Sequence, residues 1–359
     1  MPIVSEQYAR VVGVDTHAAT NTLAVIDVVT GAELDQATFP TTSAGLSRAA
    51  GWASRRVDHQ PTLFVVEGIG SYGAGVSRLL QGQGREVVEP SSMPKAQYRG
   101  HGKSDPLDAA RIARSVLGVE VSRLRQPRAD GGTRTALQIL VVAREEMTTE
   151  RTRLINALTG LLRMLDLGVD ARRPLTRAQI ATVARWRSRS GEPVAAATGR
   201  SEAIRLATRI AELDKQLAGN RDSIDALVAA AAPQLPEMIG VGPVVAATVL
   251  VAWSHPGRVR SDAAFASLAG TAPIPASSGN TERHRLNRGG DRAANSALHM
   301  IAVSRWRIDP ATKAYVARKK SEGHSNPEIL RCLKRYIARE VYYLLRAQQK
   351  TVNQVHAAA

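Results

Sequence analysis

Four carboxylates stand where a soluble chain rarely leaves them without purpose. Asp15 closes the apolar run Arg10-Val11-Val12-Gly13-Val14, and Glu67 closes a second, Leu63-Phe64-Val65-Val66. A charge at the end of an apolar strand is costly without a partner. Asp105 and Asp108 are spaced i and i+3, so they share one face of a helix. Carboxylates that converge cannot all stay ionised without cations between them. Hard oxygen donors suit Mg²⁺. Two such ions about 3.5–4 Å apart can activate one oxygen and stabilise another at a phosphodiester. Asp105 in Ser104-Asp105-Pro106 also fits a helix N-cap, and Asp108 fits a first-turn acid facing the helix dipole. Taken together, Asp15, Glu67, Asp105 and Asp108 are expected to form a catalytic, metal-binding set.

A second constellation lies near the other end. Ala269-Gly270-Thr271-Ala272-Pro273-Ile274-Pro275-Ala276-Ser277-Ser278-Gly279-Asn280 is followed by Arg283, Arg285, Arg288 and Arg292. A serine in a small-residue loop ringed by guanidiniums can attack phosphorus, because planar donors stabilise the charge that builds there. A polar turn has the same composition, and both readings stand at this level. No Ser/His/Asp spacing points to a hydrolase triad. Just upstream, Ile239-Gly240-Val241-Gly242-Pro243 precedes an apolar helix. Gly240 and Gly242 there resemble a hairpin that offers backbone N–H groups to phosphate. Lys95, Arg99, His101 and Lys103 form a basic loop before Asp105, suited to nucleic acid or to plain solvation.

The elements that must position these residues follow from periodicity. Strand patterns cover 10–15, 22–29, 33–39, 63–66 and 86–88; helical patterns cover 42–56, 72–80 and 106–117. A three-strand meander followed by two crossovers is the chain order of an α/β RNase H-like fold, in which the first and fourth strands are neighbours. Residues 133–166 carry a seam at Leu154, Leu158, Leu161 and Leu165. Residues 201–230 carry another at Leu206, Ile210, Leu213, Leu217, Ile224 and Leu227. These helices can pair within a chain or between chains. Residues 168–200 are Arg-rich and poorly periodic, a connector or a nucleic-acid-facing segment. Beyond Leu235 the pattern is mostly α, with helices over 243–253, 262–268, 291–306 and 326–347. The expected division is 8–120, an acidic-site domain; 130–232, a helical coiled-coil connector; 233–348, a domain with the serine site; and 349–359, a flexible tail.

Composition names the class of partner. The 359 residues carry a formal net charge of +16. Residues 1–120 hold 11 Lys/Arg against 12 Asp/Glu, so the excess lies behind them. A basic surface of that size suits a polyanion, usually nucleic acid. One cysteine, Cys332, leaves no intrachain disulfide and no thiolate zinc cluster. The start lacks a signal-peptide pattern, and the longest apolar run, Val244 to Trp253, is about half a membrane span. A cytoplasmic protein without membrane contact is expected.

Gly13-Val14-Asp15-Thr16-His17, Glu67-Gly68, Lys103-Ser104-Asp105-Pro106-Leu107-Asp108-Ala109, Ile239-Gly240-Val241-Gly242-Pro243 and Ala272-Pro273 through Ser278-Gly279 occur in this order. Over about residues 10–310 the chain resembles the DEDD transposases of insertion-sequence family one-hundred-ten. The resemblance implies a RuvC-like N-terminal domain whose acids, here Asp15, Glu67, Asp105 and Asp108, bind Mg²⁺. It implies a C-terminal transposase domain whose serine, matched by Ser278, joins covalently to DNA; Ser277 is adjacent, and register favours the serine beside Gly279. It implies a homo-oligomer, dimer or tetramer, in which the acids of one subunit meet the serine of another. It also implies a noncoding bridge RNA that pairs with donor and target double-stranded DNA. Two other readings remain: a RuvC-like metal-dependent nuclease or junction resolvase, and a basic nucleic-acid-binding assembly protein with no catalysis. The final fifty residues, with Arg331, Lys334, Arg335 and Arg339, fit either RNA binding or closure of the serine domain.

Overall fold

The computed structural model describes residues 2–90, 105–127, 132–255, 258–275, 284–285, 287 and 289–358. It divides into two units, Met1–Asp130 with Ser254–Arg258, and Gly131–Trp253 with Val259–Ala359.

The first unit is a mixed sheet between helices. A short α1 (Val4–Gln7) leads into β1 (Arg10–Thr16), β2 (Thr20–Asp27) and β3 (Glu33–Pro40). Then come α2 (Ser43–Val57), β4 (Thr62–Val66), α3 (Ala74–Gly82), β5 (Glu86–Val88) and α4 (Asp105–Arg114). Strand order is β3-β2-β1-β4-β5. The first three strands are an antiparallel meander, while β4 runs parallel to β1 and β5 parallel to β4. The first and fourth strands are therefore neighbours, as the meander-plus-crossover pattern requires.

Both faces of the central strands are buried, so their sequences read as continuous apolar runs. Alternation sorts the side chains between the two faces. Val11, Ala24, Ile26, Leu63 and Val65 pack with Ala109, Ile112 and Ala113 of α4. Val12, Val14, Leu23, Phe64 and Val66 pack with Ala49, Trp52 and Ala53 of α2 and with Val76 and Leu80 of α3. Gly13 sets how closely α4 approaches. A Cβ there would lie 2.0 Å from the Ala109 carbonyl oxygen and 2.7 Å from the Ala113 nitrogen. Glycine in β1 and alanines in α4 thus let helix backbone rest directly on strand backbone.

The second unit is almost wholly helical. It contains α5 (Gly132–Met164), α6 (Arg177–Ala184), α7 (Val194–Ala231), α8 (Pro243–Trp253) and α9 (Asp262–Leu268). A two-stranded ribbon, β6 (Ile274–Pro275) with β7 (His284–Arg285), precedes α10 (Arg292–Ile308), α11 (Pro310–Ser321) and α12 (Asn326–Ala358). The two long helices, α5 and α7, pair within the chain. Leu158 and Leu162 meet Leu206 and Ile210, with Ile180 and Val183 of α6 completing the cluster. Arg151 Nε donates to Asp214 Oδ1 (2.5 Å), Arg209 Nε to Glu150 Oε1 (2.9 Å) and Arg144 Nη1 to the Leu217 carbonyl (2.9 Å). The other ends of the pair, at Leu137, Ile224 and Val228, belong to the same core as α8, α10 and α12.

Two helices of this unit lie outside the sequence expectation. In the Arg-rich stretch, Thr176 accepts from the Gln179 N–H and starts α6. At Asp309-Pro310 the carboxylate accepts from the N–H groups of Ala311 and Thr312 and starts α11. At the C-terminus, α12 continues to Ala358 where a tail was expected from 349. Ile329, Leu333, Ile337, Val341 and Leu345 recur along one face of α12 and close the core over Trp253 and Phe265. Among the described residues no helix is long and apolar enough to cross a membrane.

Candidate active site: an acidic cluster and a serine loop

Strand alternation places two of the acids. Val14 pairs with Val66 in the parallel register, so Asp15 and Glu67 come next at adjacent strand ends. Val11 and Gly13, like Leu63 and Val65, face α4; Asp15 and Glu67 continue that face by the period of two. The crevice beyond the carboxyl ends of parallel strands is where α/β sheets place ligands. Backbone contacts fix the two ends to each other. The Glu67 N–H donates to the Val14 carbonyl (3.1 Å), and the Thr16 hydroxyl donates to the Glu67 carbonyl (3.0 Å). Gly68 then turns at φ +64°, and a Cβ on Gly73 would stand 2.4 Å from the Glu67 oxygen. These glycines shape the turn that presents Glu67.

Asp108 arrives on α4, one residue before the Ala109 carbonyl that rests on Gly13. The electrostatics show that the acids share a field. Partial burial holds the Glu67 carboxyl above its usual pKa, and the charges of Asp15 and Asp108 push it further, while His17 opposes them. Asp15 is 7% exposed, and His17 Nε2 lies 3.2 Å from its Oδ2. Asp108 Oδ1 accepts from Arg111 Nη1 at 3.2 Å. Three of the four expected acids are thus brought together. Asp105 opens α4, and its side chain lies outside the described residues. Among the described residues, no group of three or more His, Cys, Asp or Glu side chains already stands in metal-ligand array.

A testable consequence concerns Glu67. A carboxyl whose pKa is raised on folding binds its proton more tightly in the native state. Stability therefore falls as pH rises from the unfolded pKa through the folded one. Glu67→Gln removes that loss. At pH 7 without divalent metal the variant should be more stable by ~0.5 kcal/mol after discounting for solvent screening, roughly 1–2 °C in Tm. At pH 4 the difference should vanish. Thermal melts at both pH values decide it, and a variant less stable at pH 7 would contradict the shared field.

In the second unit the ends of the serine loop are held together. Gly270 (φ +63°) leaves room for the Gly289 carbonyl, which a Cβ would meet at 2.6 Å. Gly290 (φ +94°) does the same for the Leu268 carbonyl at 2.5 Å. The Asp291 N–H donates to Leu268 (2.6 Å), and Asn295 Nδ2 donates to the carbonyls of Ala269 (2.8 Å) and Gly270 (3.1 Å). Ser277, Ser278, Arg283 and Arg288 lie outside the described residues, as does the Arg285 side chain, whose backbone is in β7. Lys95, Arg99, His101 and Lys103 also lie outside them. Gly240 (φ +83°) packs on α10, where a Cβ would approach the Ile301 carbonyl and Ser304 Cβ at 3.1 Å, and its neighbour's carbonyl accepts from Arg305 Nε. Gly242 is exposed with open space beside it. Of the two glycines, Gly242 has the space a phosphate would need.

Family models match two separate stretches of the chain. A DEDD-type IS110 model described as Transposase matches residues 12–165. A model described as Transposase IS116/IS110/IS902 family matches residues 232–317. The chain belongs to the IS110-type DEDD transposase family. A Sinorhizobium fredii protein that carries the transposase name y4rJ is 29% identical over 270 residues, 68% of this chain and 64% of that protein. The 42 kDa protein of insertion element IS900 from Mycobacterium paratuberculosis is 28% identical over 320 residues, 76% of this chain and 78% of its own. The 43.6 kDa protein of insertion element IS110 from Streptomyces coelicolor is 31% identical over 144 residues, 39% of this chain and 36% of its own. The chain thus spans just under two thirds of the first of these relatives. The first matched stretch spans the positions of Asp15, Glu67, Asp105 and Asp108, and the second spans the serine loop.

His17, the last residue of the motif around Asp15, stands just past the end of β1 with its ring beside the Asp15 carboxylate. Asn295, which braces the loop stem, gives no local signal, because its partners lie 25 and 26 residues away.

Proposed function

We propose that this transposase cuts DNA strands and rejoins them in new combination, using the four acids with Mg²⁺ and Ser278 as nucleophile. The observation that carries it is Glu67, which ends one of two adjacent parallel strands beside Asp15 and whose carboxyl is held up by partial burial and then by the charges of Asp15 and of Asp108 on α4. A carboxyl that carries the field of neighbouring acids gains from a shared cation, and an all-oxygen donor set fits a hard divalent ion. Asp15, Glu67, Asp105 and Asp108 would hold it, as two ions. Bound there, Mg²⁺ supplies charge stabilisation at a phosphodiester. The sheet order β3-β2-β1-β4-β5 supports a RuvC-like, RNase H-type scaffold for this chemistry.

Ser278 Oγ attacks phosphorus and forms a serine phosphodiester. The bond to the 3′ oxygen breaks, and that oxygen takes up a proton as the serine hydroxyl gives one up. Arg283, Arg285 and Arg288 donate to the phosphoryl oxygens. Reversal with a different 3′ hydroxyl joins the exchanged strand and frees the serine. Donor and target duplexes are selected by a bridge RNA. That reading is supported by a +16 chain whose excess charge follows residue 120 and whose sequence carries no groove-reading helix motif. The working form is a homo-oligomer, dimer or tetramer.

The test is a strand-exchange reaction with Mg²⁺, RNA transcribed from the element's flank, and labelled donor and target duplexes. Joined donor–target strands are expected from the intact chain and none from Ser278→Ala. Hydrolysed ends that persist in Ser278→Ala would replace this reading with a metal-dependent nuclease. Binding that is indifferent to metal, with no cleavage, would replace it with an assembly protein.

A further inference from the structure

Lys334 has no part in the reaction as described. It sits on α12 at 8% exposure, and its Nζ donates to Asn295 Oδ1 at 2.9 Å. Among the described residues it has no ion-pair partner. Burial and the neighbouring Arg331 both push its pKa down, so the fold works against this charge rather than for it. An ammonium has three N–H donors, and among the described residues only one of them meets an acceptor.

The lysine lines a cavity of about 350 Å³ with Arg292, Ser296 and His299 and with Gly289 and Gly290 of the serine-loop stem. Two cationic side chains with a hydroxyl and an imidazole, and no Phe, Tyr or Trp among the described lining residues, suit a single tetrahedral anion rather than a base or sugar. The Asp291 carboxylate on the rim is committed to the α10 cap, accepting from the Ala294 N–H at 3.0 Å. A buried cation without an ion-pair partner among the described residues is accounted for if the ligand brings the counter-charge.

We propose that this cavity is a binding site for one phosphodiester group of the DNA strand next to the linkage that reacts, with Lys334 and Arg292 as its cations. This rests on the reading that the loop carries the nucleophile. Asn295 ties Lys334 to the carbonyls of Ala269 and Gly270, so a phosphate on Lys334 is one side chain away from the loop stem. The site reads no sequence; it sets where along the strand the serine meets phosphorus.

The test uses the full chain with RNA from the element's flank and duplex DNA in which one linkage at a time is replaced by a neutral methylphosphonate. For the intact chain, neutralising one linkage near the exchange point should weaken binding about tenfold. Lys334→Gln keeps a donor for Asn295 and removes the charge; its affinity should no longer respond to that linkage. Arg292→Gln, at an exposed position, should lose most of the same response and decides the matter if Lys334→Gln does not fold. A Lys334→Gln or Arg292→Gln profile that superimposes on the parent, or a parent profile with no sensitive linkage, overturns the site. Ser278→Ala should keep the parent profile. A sensitive linkage in a chain that never joins strands would refute the recombination reading and leave the phosphate site standing.

Discussion

Asp15→Asn is expected to lower strand exchange by ~10³-fold or more, the several kcal/mol of transition-state stabilisation that a metal site supplies. The side chain is nearly isosteric, so the fold should survive. The charge it removes is one of those that raise the Glu67 pKa. Without divalent metal the variant should therefore melt no lower than the parent at pH 7. That pairing separates a catalytic acid from a structural one. A buried aspartate that merely braced His17, 3.2 Å away, would cost stability when replaced and leave exchange nearly intact. Parallel melts and exchange assays read both quantities from one preparation, and retained exchange in Asp15→Asn would remove Asp15 from the active site.

Gly13→Ala should have the largest effect on stability. The added methyl would lie 2.0 Å from the Ala109 carbonyl, 2.7 Å from the Ala113 nitrogen and 3.0 Å from the Ala113 Cβ. Two of these three neighbours are backbone atoms, so the whole of α4 must retreat from β1. Overpacking of this kind costs about 3 kcal/mol or more. Urea titration measures it, and Gly70→Ala, with nothing within 4 Å of the new methyl, is the control expected within about 0.5 kcal/mol of the parent. The functional consequence follows from the same geometry. Asp108 rides on α4, so its retreat takes a negative charge away from Glu67 and lets that carboxyl move back toward its ordinary range. A Gly13→Ala protein as stable as Gly70→Ala would show that the close approach of α4 to β1 does not hold in solution.

Much of the first unit can be read from its residues. Continuous apolar runs ending in Asp15 and Glu67 mark strands buried on both faces, and the period of two puts both acids on the face that α4 covers. What the sequence does not announce is Gly13 as a contact point, because a glycine inside a strand pattern looks locally like a weakness. In the second unit, the leucine seams identify α5 and α7 but leave open whether they pair within or between chains; Arg151–Asp214 and Arg209–Glu150 are contacts across about 60 residues and make the pairing internal. Short helices are the harder case. Among its eight residues α6 buries Ile180 and Val183, and α11 buries Thr312 and Val316, too few for a periodic stripe. Their cap residues, Thr176 with Gln179 and Asp309 before Pro310, were the available signals. The serine loop shows the same limit. Gly270 and Gly290 appear as turn glycines, whereas their use is to let the two stems touch.

In the proposed reaction the chain becomes joined to DNA through Ser278, under the control of the acidic cluster. The direct measurement is to run the reaction with Mg²⁺, the flank RNA and labelled DNA, denature it, and map any protein–DNA linkage by mass spectrometry of the proteolytic peptides. A nucleotide adduct is expected on Ser278, absent from Ser278→Ala and from Asp15→Asn. An adduct on Ser277, or one that forms undiminished in Asp15→Asn, or recombined strands with no adduct at any serine, would contradict it.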